Sequence, residues 1–351
     1  MSLNTLAATD VIVRLHEFDT VIDARSEDEY ALDHVPGAVN WPTLNNAERI
    51  EIGTLYKRVN PFEARKRGAA IAARNIAAHI ERAVLDKPKD WKPLCYCWRG
   101  GQRSGALSLI LSQIGFRVTL VEGGYKAFRA AVVQDLAGLA ASLQFQVVCG
   151  PTGSGKTRLL QALATLGAQV LDLEALARHR SSVLGAMPGL EQPCQKHFDT
   201  LIWDGLRRMD PAKPVFIESE SKKVGDLSVP AALVEAMRTS ACLKLALPDD
   251  ERVALLLEDY DYLVRDVDYF CDRLGVLTAL KGRAIVQRWQ ELARAGQFAP
   301  VVQDLLVNHY DPAYFESMQR NFVQFENAKS IAPTDHSIKA MAELAQQLLN
   351  G

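Results

Sequence analysis

Short apolar runs alternate with longer stretches of helical periodicity along most of the chain. Residues 20–25 (TVIDAR), 94–97 (LCYC) and 117–121 (RVTLV) are apolar runs of strand length. Turn residues bound them, which predicts buried strands. Between them, 27–33 reads as a helix and 34–40 (HVPGAVN) as a turn into another short strand. A long helical region covers 47–85 and is broken at Asn60-Pro61, where proline removes an amide donor and clashes with the preceding turn. Helices follow at 103–115 and, after Gly123-Gly124, at 125–143. The alternation then repeats, with strands at 144–149, 168–173, 214–217 and 242–247 and a helix at 158–166. From 249 to 309 the pattern is helical, with Val253, Leu256, Leu257 and Tyr260 on one face, and 337–349 reads as a terminal helix. Strands that alternate with helices predict mainly parallel sheets.

Composition narrows this picture. A chain of 351 residues with 48% hydrophobic content suits two packed domains. The formal net charge of -2 means that any nucleic-acid contact must come from a local basic patch. Six cysteines without a double CxxC pattern suit a reducing compartment. Residues 1–10 lack a basic end followed by an apolar core, and no apolar run is long enough to cross a bilayer. The expectation is a cytoplasmic protein with no membrane partner, taken as a monomer.

The chemistry gathers first around Cys97. This cysteine ends an apolar strand, and Trp98, Arg99, Gly100, Gly101, Gln102 and Arg103 lead from it into a helix. A thiol at a strand end, facing the amides of a helix start, is where a thiolate is stabilised. Glycines let the backbone turn tightly and direct N–H groups inward as an anion cradle. Cys97 is therefore read as a nucleophile toward a tetrahedral, phosphate-like donor, against the alternative of an inert core cysteine. Cys95 is either a second, resolving thiol or a small core residue. Trp98 either stacks on a base or shields the loop. Arg99 and Arg103 either pair with the anion or brace the loop. Further back, Lys57, Arg58, Arg65, Lys66, Arg67, Arg74 and Arg82 are offset within their own stretch only by Glu63 and Glu81. That stripe is a candidate footprint for RNA phosphates, or a solvated helix face.

DAR, HVPGAVN, the cysteine loop and VEGGYKAFR resemble a rhodanese domain over residues 10–138. In that family the loop cysteine carries a persulfide during sulfur transfer. Here five residues separate Cys97 from Arg103, one more than in the common rhodanese loop, and this is the Cys-x5-Arg spacing of cysteine phosphatases. The wider ring of amides suits selenophosphate or a phosphate ester better than thiosulfate.

The second centre is Gly150-Pro151-Thr152-Gly153-Ser154-Gly155-Lys156-Thr157, set between a strand and a helix. This G-x4-G-K-[ST] loop surrounds a diphosphate with amides from Gly150, Gly153, Ser154 and Gly155 and with a helix N-terminus. Lys156 adds a point charge, and the Thr157 hydroxyl is a candidate Mg2+ ligand. Asp172 and Glu174 follow the next strand, then His179 and Arg180. Glu218 ends the third strand, where glutamate instead of aspartate speaks against ordinary NTP hydrolysis. His179 is either a structural histidine or, with these neighbours, part of the site. Trp289 and Tyr310-Asp311-Pro312-Ala313-Tyr314 either stack on nucleotides or pack a core.

The order of the two centres, with YCWRGGQRS, GPTGSGKT, LDLEALARHRSS and FIESESKKVG, resembles the tRNA 2-selenouridine synthase family across nearly the whole chain. Ser181 and Gln102 depart from its usual pattern. The resemblance implies an α/β fold with a rhodanese-like domain at 1–138, built on a parallel sheet. A P-loop NTPase-like domain with a helical extension would occupy 139–351. It implies a two-step change at the wobble uridine of tRNAs for Lys, Glu and Gln. A geranyl group from geranyl diphosphate first alkylates 2-thiouridine on sulfur, and selenium from selenophosphate then replaces the geranylthio group. Cys97 would carry the selenium to C2. The P-loop would hold the diphosphate of geranyl diphosphate, with no firmly bound cofactor beyond Mg2+. Two other classes compete: a Cys-x5-Arg phosphatase, and a sulfurtransferase unit fused to a P-loop kinase.

Overall fold

A computed structural model describes residues 3–180 and 189–350. Ser181 and Ser182 lie outside the described residues. The chain divides into two compact units, Met1–Gly138 with Pro193–Asp204, and Leu139–Gln192 with Gly205–Gly351. The first therefore takes in residues 193–204, which the sequence reading placed in the second.

The first unit is built on a parallel sheet of β1 (Asn4–Leu6), β2 (Thr20–Asp23), β3 (Val39–Asn40), β4 (Pro93–Tyr96) and β5 (Thr119–Val121). Their order is β1-β5-β4-β2-β3. Strand β4 is central and buried at all four residues, as a parallel strand covered on both faces must be. This burial is why the run before Cys97 has no polar alternation. Asp23 and Arg25, at the end of β2, form a buried ion pair at 2.6 Å. Tyr96 donates to Asp23 at 2.7 Å, and Arg25 also donates to the Asp33 carbonyl at 2.6 Å. Burial opposes the charge on Arg25, but Asp23 prevails and holds it protonated. Removing one member of such a pair costs about 3–5 kcal/mol, so the end of β2 is fixed firmly beside β4.

Helix Gln195–Leu206 was not expected from local pattern. Phe198, Ile202 and Trp203 are fully buried. Trp203 meets Phe128 edge-on at 5.7 Å and donates Nε1–H to Asp135 at 2.8 Å. Its partners lie about seventy positions away in sequence, so only the tertiary fold reveals its role.

The second unit carries β6 (Gln144–Cys149), β7 (Gln169–Leu171), β8 (Pro214–Glu218), the ribbon strands β9 (Lys223–Val224) and β10 (Leu227–Ser228), β11 (Ala241–Leu245) and β12 (Lys329–Ile331). The main sheet is parallel in the order β12-β11-β6-β8-β7. Val148 pairs in register with Glu218, so the phosphate loop and Glu218 emerge at the same carboxyl edge of neighbouring strands. That edge is where open α/β sheets bind ligands. The edge strands β1 and β12 are three residues each, too short for an alternation to register in sequence. The expected helical stretch from 249 is a set of helices around their own core, in which Trp289 is 1% exposed and donates to Asp304 at 2.8 Å. Trp289 is thus a core residue and has no face to offer a base. Among the described residues, no helix is long and apolar enough to cross a membrane.

Candidate active site

Cys97 sits one residue past β4, at 3% exposure, beneath a loop whose residues 98–102 are all exposed. Helix Gln102–Ile114 begins within that loop, capped by Gly101. Among the described residues, the amides of Trp98, Arg99, Gly100, Gly101, Gln102 and Arg103 have no intramolecular acceptor. Unengaged N–H groups beside a thiol are what an anion cradle requires. Ser104, fully buried in the first helical turn, donates its hydroxyl to Cys97 Sγ at 3.1 Å. The sequence reading passed over Ser104; its place seven residues after the cysteine, inside the first turn, was the available signal.

Two glycines make the loop possible. Gly100 has φ +65 and Gly124 has φ +61. A Cβ at Gly124 would lie 2.3 Å from the Cys97 carbonyl oxygen and 2.4 Å from the Gly100 amide. The VEGGYK segment therefore presses backbone against backbone beneath the loop, and Tyr125 N–H donates to the Cys97 carbonyl at 2.8 Å. Tyr125 also stacks under Trp98 with ring centroids 5.5 Å apart. Trp98 remains 37% exposed, so one face lies against Tyr125 and the side chain still reaches solvent.

The arginines divide their roles. Arg103 donates to both oxygens of Glu29 at 2.6 and 3.2 Å. Burial pushes Glu29 up, but Arg103 prevails and holds its carboxyl below the usual range. Glu29 also accepts from Ser26 in the capping box of helix Glu27–Leu32, so Arg103 ties the cysteine loop to that helix. Arg99 is exposed on the loop. Cys95 is fully buried in the hydrophobic core, and burial pushes its thiol up to about 12. It is a core residue, not a thiol open to exchange.

Beneath the loop lies a polar cluster that sequence reasoning missed. Asp33, 1% exposed, accepts from Tyr125 at 2.6 Å and Thr200 at 3.1 Å, and His197 Nδ1 stands 3.2 Å away. Arg25 stacks over the Tyr125 ring at 4.0 Å. The segment 193–204 thereby supports, through Tyr125, the surface on which Trp98 rests.

The basic stripe is thinner than its sequence implied. Arg67 pairs with Glu51, Arg74 with Glu48 at 2.9 Å and Lys66 with Glu63 at 2.7 Å. The first two carboxylates belong to helix Asn46–Arg58, which packs along helix Pro61–Ala83 and lay outside the charge count of 57–82. Among the described residues, no ion pair engages Lys57, Arg58 or Arg65, and all three are exposed.

In the second unit, Gly153 (φ +78) and Gly155 (φ +88) shape the phosphate loop ahead of helix Lys156–Thr165. A Cβ at Gly150 would lie 2.3 Å from Ser154 Oγ, so that turn has no room for a side chain. Lys156 Nζ donates to the Gly150 carbonyl at 2.8 Å, arching over the loop, and Tyr314 places its ring 6.0 Å away. Thr157 Oγ1 lies 3.5 Å from Glu174 Oε2. Ligand oxygens of Glu174, Glu218 and Glu220 lie within 4.8 Å of one another. Glu218 is 1% exposed, and neither of its carboxylate oxygens has a hydrogen-bond partner. Three carboxylates and a hydroxyl are hard oxygen donors that fit Mg2+. Glu220 was absent from the sequence-derived set; its place two residues past Glu218, in the acidic run that follows the third strand, was the signal.

Burial, then Glu220, Glu174 and Asp172, push the Glu218 carboxyl well above 4.5. Below the unfolded value near 4.5 both states hold the proton and Glu218 costs nothing. As pH rises above it, the unfolded side chain ionises while the folded one does not, and stability falls until the folded value is passed. Glu218→Gln is therefore expected to raise the thermal midpoint at pH 7.5 without metal, with the gain shrinking toward pH 4.5. Added Mg2+ should raise the midpoint of the unsubstituted protein and leave the variant nearly unmoved. Melting curves across pH, with and without Mg2+, check both.

Asp172 caps helix Leu173–Ala177 through the Ala175 amide at 2.8 Å. Burial lowers the affinity of His179 for a proton, and its Nδ1 is buried without a partner. Arg180 donates to the Asp259 carbonyl at 2.5 Å and lies 4.5 Å over the Tyr260 ring.

Comparison with known proteins places both units. Residues 143–280 match the family model described as the tRNA 2-selenouridine synthase AAA domain, and residues 7–131 match the rhodanese-like domain. A tRNA 2-selenouridine synthase of Cupriavidus necator is 32% identical over 335 residues, covering 86% of this chain and 89% of that protein. One from Marinobacter nauticus is 30% identical over 327 residues, covering 84% and 87%. One from Nitrosomonas eutropha is 34% identical over 264 residues, covering 72% of this chain but 66% of its own length.

Proposed function

The chain belongs to the tRNA 2-selenouridine synthase family, and from that premise we propose that it converts the wobble 2-thiouridine of tRNAs for Lys, Glu and Gln to 2-selenouridine. The reaction runs through an S-geranyl intermediate made from geranyl diphosphate, with selenophosphate as selenium donor, in the cytoplasm and as a monomer. The observation that carries the reading is the Cys97 thiol, hydrogen-bonded by Ser104 under a loop of unengaged amides. A phosphate-like group fits that loop, and a thiolate at its floor is a nucleophile.

Sulfur bound to C2 of a neutral thiouridine leaves poorly. Alkylation gives C2 an isothiourea-like character and turns the departing group into a thiolate. The Gly150, Gly153, Ser154 and Gly155 turn, with Lys156, holds the diphosphate, because an amide cradle recognises phosphate and not the rest of the ligand. Thr157, Glu174, Glu218 and Glu220 would hold Mg2+, which when bound neutralises phosphate charge.

Mass spectrometry of tRNA incubated with the protein, geranyl diphosphate and selenophosphate tests the reading. Geranylated and then selenated uridine are expected. Selenium-free tRNA alongside hydrolysed phosphate esters would favour a phosphatase, and ATP turnover alone would favour a kinase.

The RNA footprint has its own test. Lys57, Arg58 and Arg65 changed together to alanine should reduce the slope of log K against log salt by roughly 2–3, at about 0.7–0.9 per phosphate contact. Titrations between low and moderate salt measure this, and an unchanged slope would remove the patch from the interface.

A further inference from the structure

Arg252 lies in helix Asp249–Asp259 of the second unit and is 4% exposed. A buried guanidinium must find partners for its five N–H groups, and this one engages all five. Nε and Nη2 donate to the Thr152 carbonyl of the phosphate loop at 3.0 and 2.8 Å. Nη2 also donates to Asp311 at 2.6 Å, and Nη1 donates to Asp311 and to Asp249, each at 2.9 Å. Burial opposes the charge on Arg252, but Asp311 and then Asp249 prevail and hold it protonated. With no donor left over, Arg252 is not a ligand for an incoming anion. Its link to the site runs through the loop backbone.

The consequence falls on one peptide group. Across a planar trans peptide, C=O and N–H point in opposite directions. The Thr152 carbonyl is clamped toward helix Asp249–Asp259, so the Gly153 N–H points away from that helix. Among the described residues, that N–H has no intramolecular acceptor. Gly153 has φ +78 and no side chain to resist rotation of the peptide before it, so the clamp decides which way that peptide faces. A Cβ there would lie 3.1 Å from the Arg252 carbonyl oxygen, which places the loop directly on the helix that carries the clamp. Helix Asp311–Asn321 braces the same loop twice. It begins just after a π-turn at Leu306–Tyr310, and such wide turns occur often at functional sites. Its Asp311 holds Arg252, and one turn later Tyr314 sets its ring 6.0 Å from Lys156 Nζ.

We propose that Arg252 and Asp311 are positioning residues for diphosphate binding, fixing the Thr152–Gly153 peptide so that the Gly153 N–H is aimed at the anion before it arrives. The proposal rests on the reading that residues 150–157 hold a diphosphate. A cradle formed in advance loses no binding free energy to reorientation of its amides. Lysine has three donors on a flexible stem and cannot make this fork, so even a substitution that conserves charge should release the peptide.

Arg252→Lys tests this, by calorimetric titration with inorganic diphosphate and Mg2+ and by NMR of protein labelled with 15N-glycine. Affinity should fall roughly tenfold to a hundredfold, the worth of one amide contact to a charged group. In the unsubstituted protein, diphosphate should move the Gly153 and Gly155 amide protons downfield. In Arg252→Lys the Gly153 movement should shrink by at least half while that of Gly155 is kept. Unchanged affinity in the folded variant overturns the proposal. Equal loss at both glycines also overturns it, because the loop would then have come apart as a whole. Asp311→Asn keeps the shape but removes the charge that holds the fork, and should show the same pattern with a severalfold loss; unaltered binding there overturns the part given to Asp311. Should Arg252→Lys fail to fold, Arg252→Met combined with Asp311→Leu decides, since replacing both members of a buried ion pair by apolar groups often keeps stability. A double variant that melts normally and binds diphosphate at full affinity overturns the proposal. If the unsubstituted protein binds no diphosphate, the reading of the phosphate loop falls and takes this proposal with it, a result distinct from the others because it needs no variant.

Discussion

Replacing Cys97 with serine is expected to lower selenium incorporation into tRNA by roughly 10³–10⁶-fold, the scale on which loss of a catalytic nucleophile registers. Geranyl transfer should continue unchanged, because its diphosphate site lies in a different compact unit. The substitution is nearly isosteric, and a serine oxygen still accepts from Ser104, so the fold should hold. Mass spectrometry of tRNA from single-turnover reactions reads both steps. A selenated product from Cys97→Ser would put the nucleophile elsewhere.

Electron balance makes the same experiment more informative. If the Cys97 thiolate attacks selenium, an S–Se bond forms and the Se–P bond breaks with its pair on phosphorus, which leaves as phosphite. The perselenide then displaces the geranyl thiolate at C2, and a second thiol must cleave the S–Se bond to free selenouridine. Cys95 is fully buried with its thiol pushed up to about 12, so that thiol comes from the medium. Carriage of selenium on Cys97 therefore predicts phosphite in the 31P spectrum and a requirement for added thiol. Phosphate, with no thiol requirement, would instead place the thiolate on phosphorus and release selenide to attack C2.

How far the sequence reached depends on the range of each interaction. The Cys97 loop and the phosphate loop were legible because both are local: strand, glycine turn and helix start follow one another within a dozen residues. Strand β4 could be read because a buried parallel strand is apolar at every position. The support of the cysteine loop was not legible, because Glu29 meets Arg103 across 74 positions and Asp33 meets Thr200 across 167. The charge stripe misled for a related reason. Its offsetting carboxylates, Glu48 and Glu51, sit on the preceding helix and pair across the helix–helix contact. The three-carboxylate group shares this character in part, since Glu174 meets Glu218 and Glu220 only through the fold.

Lys156→Ala should lower geranyl transfer by about 10²–10³-fold, the usual cost of removing one electrostatic contact to a developing charge. As the allylic carbon–oxygen bond breaks, negative charge grows on the departing diphosphate, and the Lys156 ammonium stands over the loop that would hold it. The loop amides remain, so binding should weaken less than turnover. A tRNA geranylated beforehand should still be selenated by the variant at the rate of the unsubstituted protein, because Cys97 and its loop are untouched. Lys156→Ala and Cys97→Ser would then fail at opposite steps, and mixing the two variants should restore the full conversion if the intermediate can pass between molecules. Retained geranyl transfer by Lys156→Ala would sink the assignment of the diphosphate to this loop. Loss of both steps would mean that the phosphate loop serves selenium transfer as well, contrary to the division of labour argued from the two separate cradles.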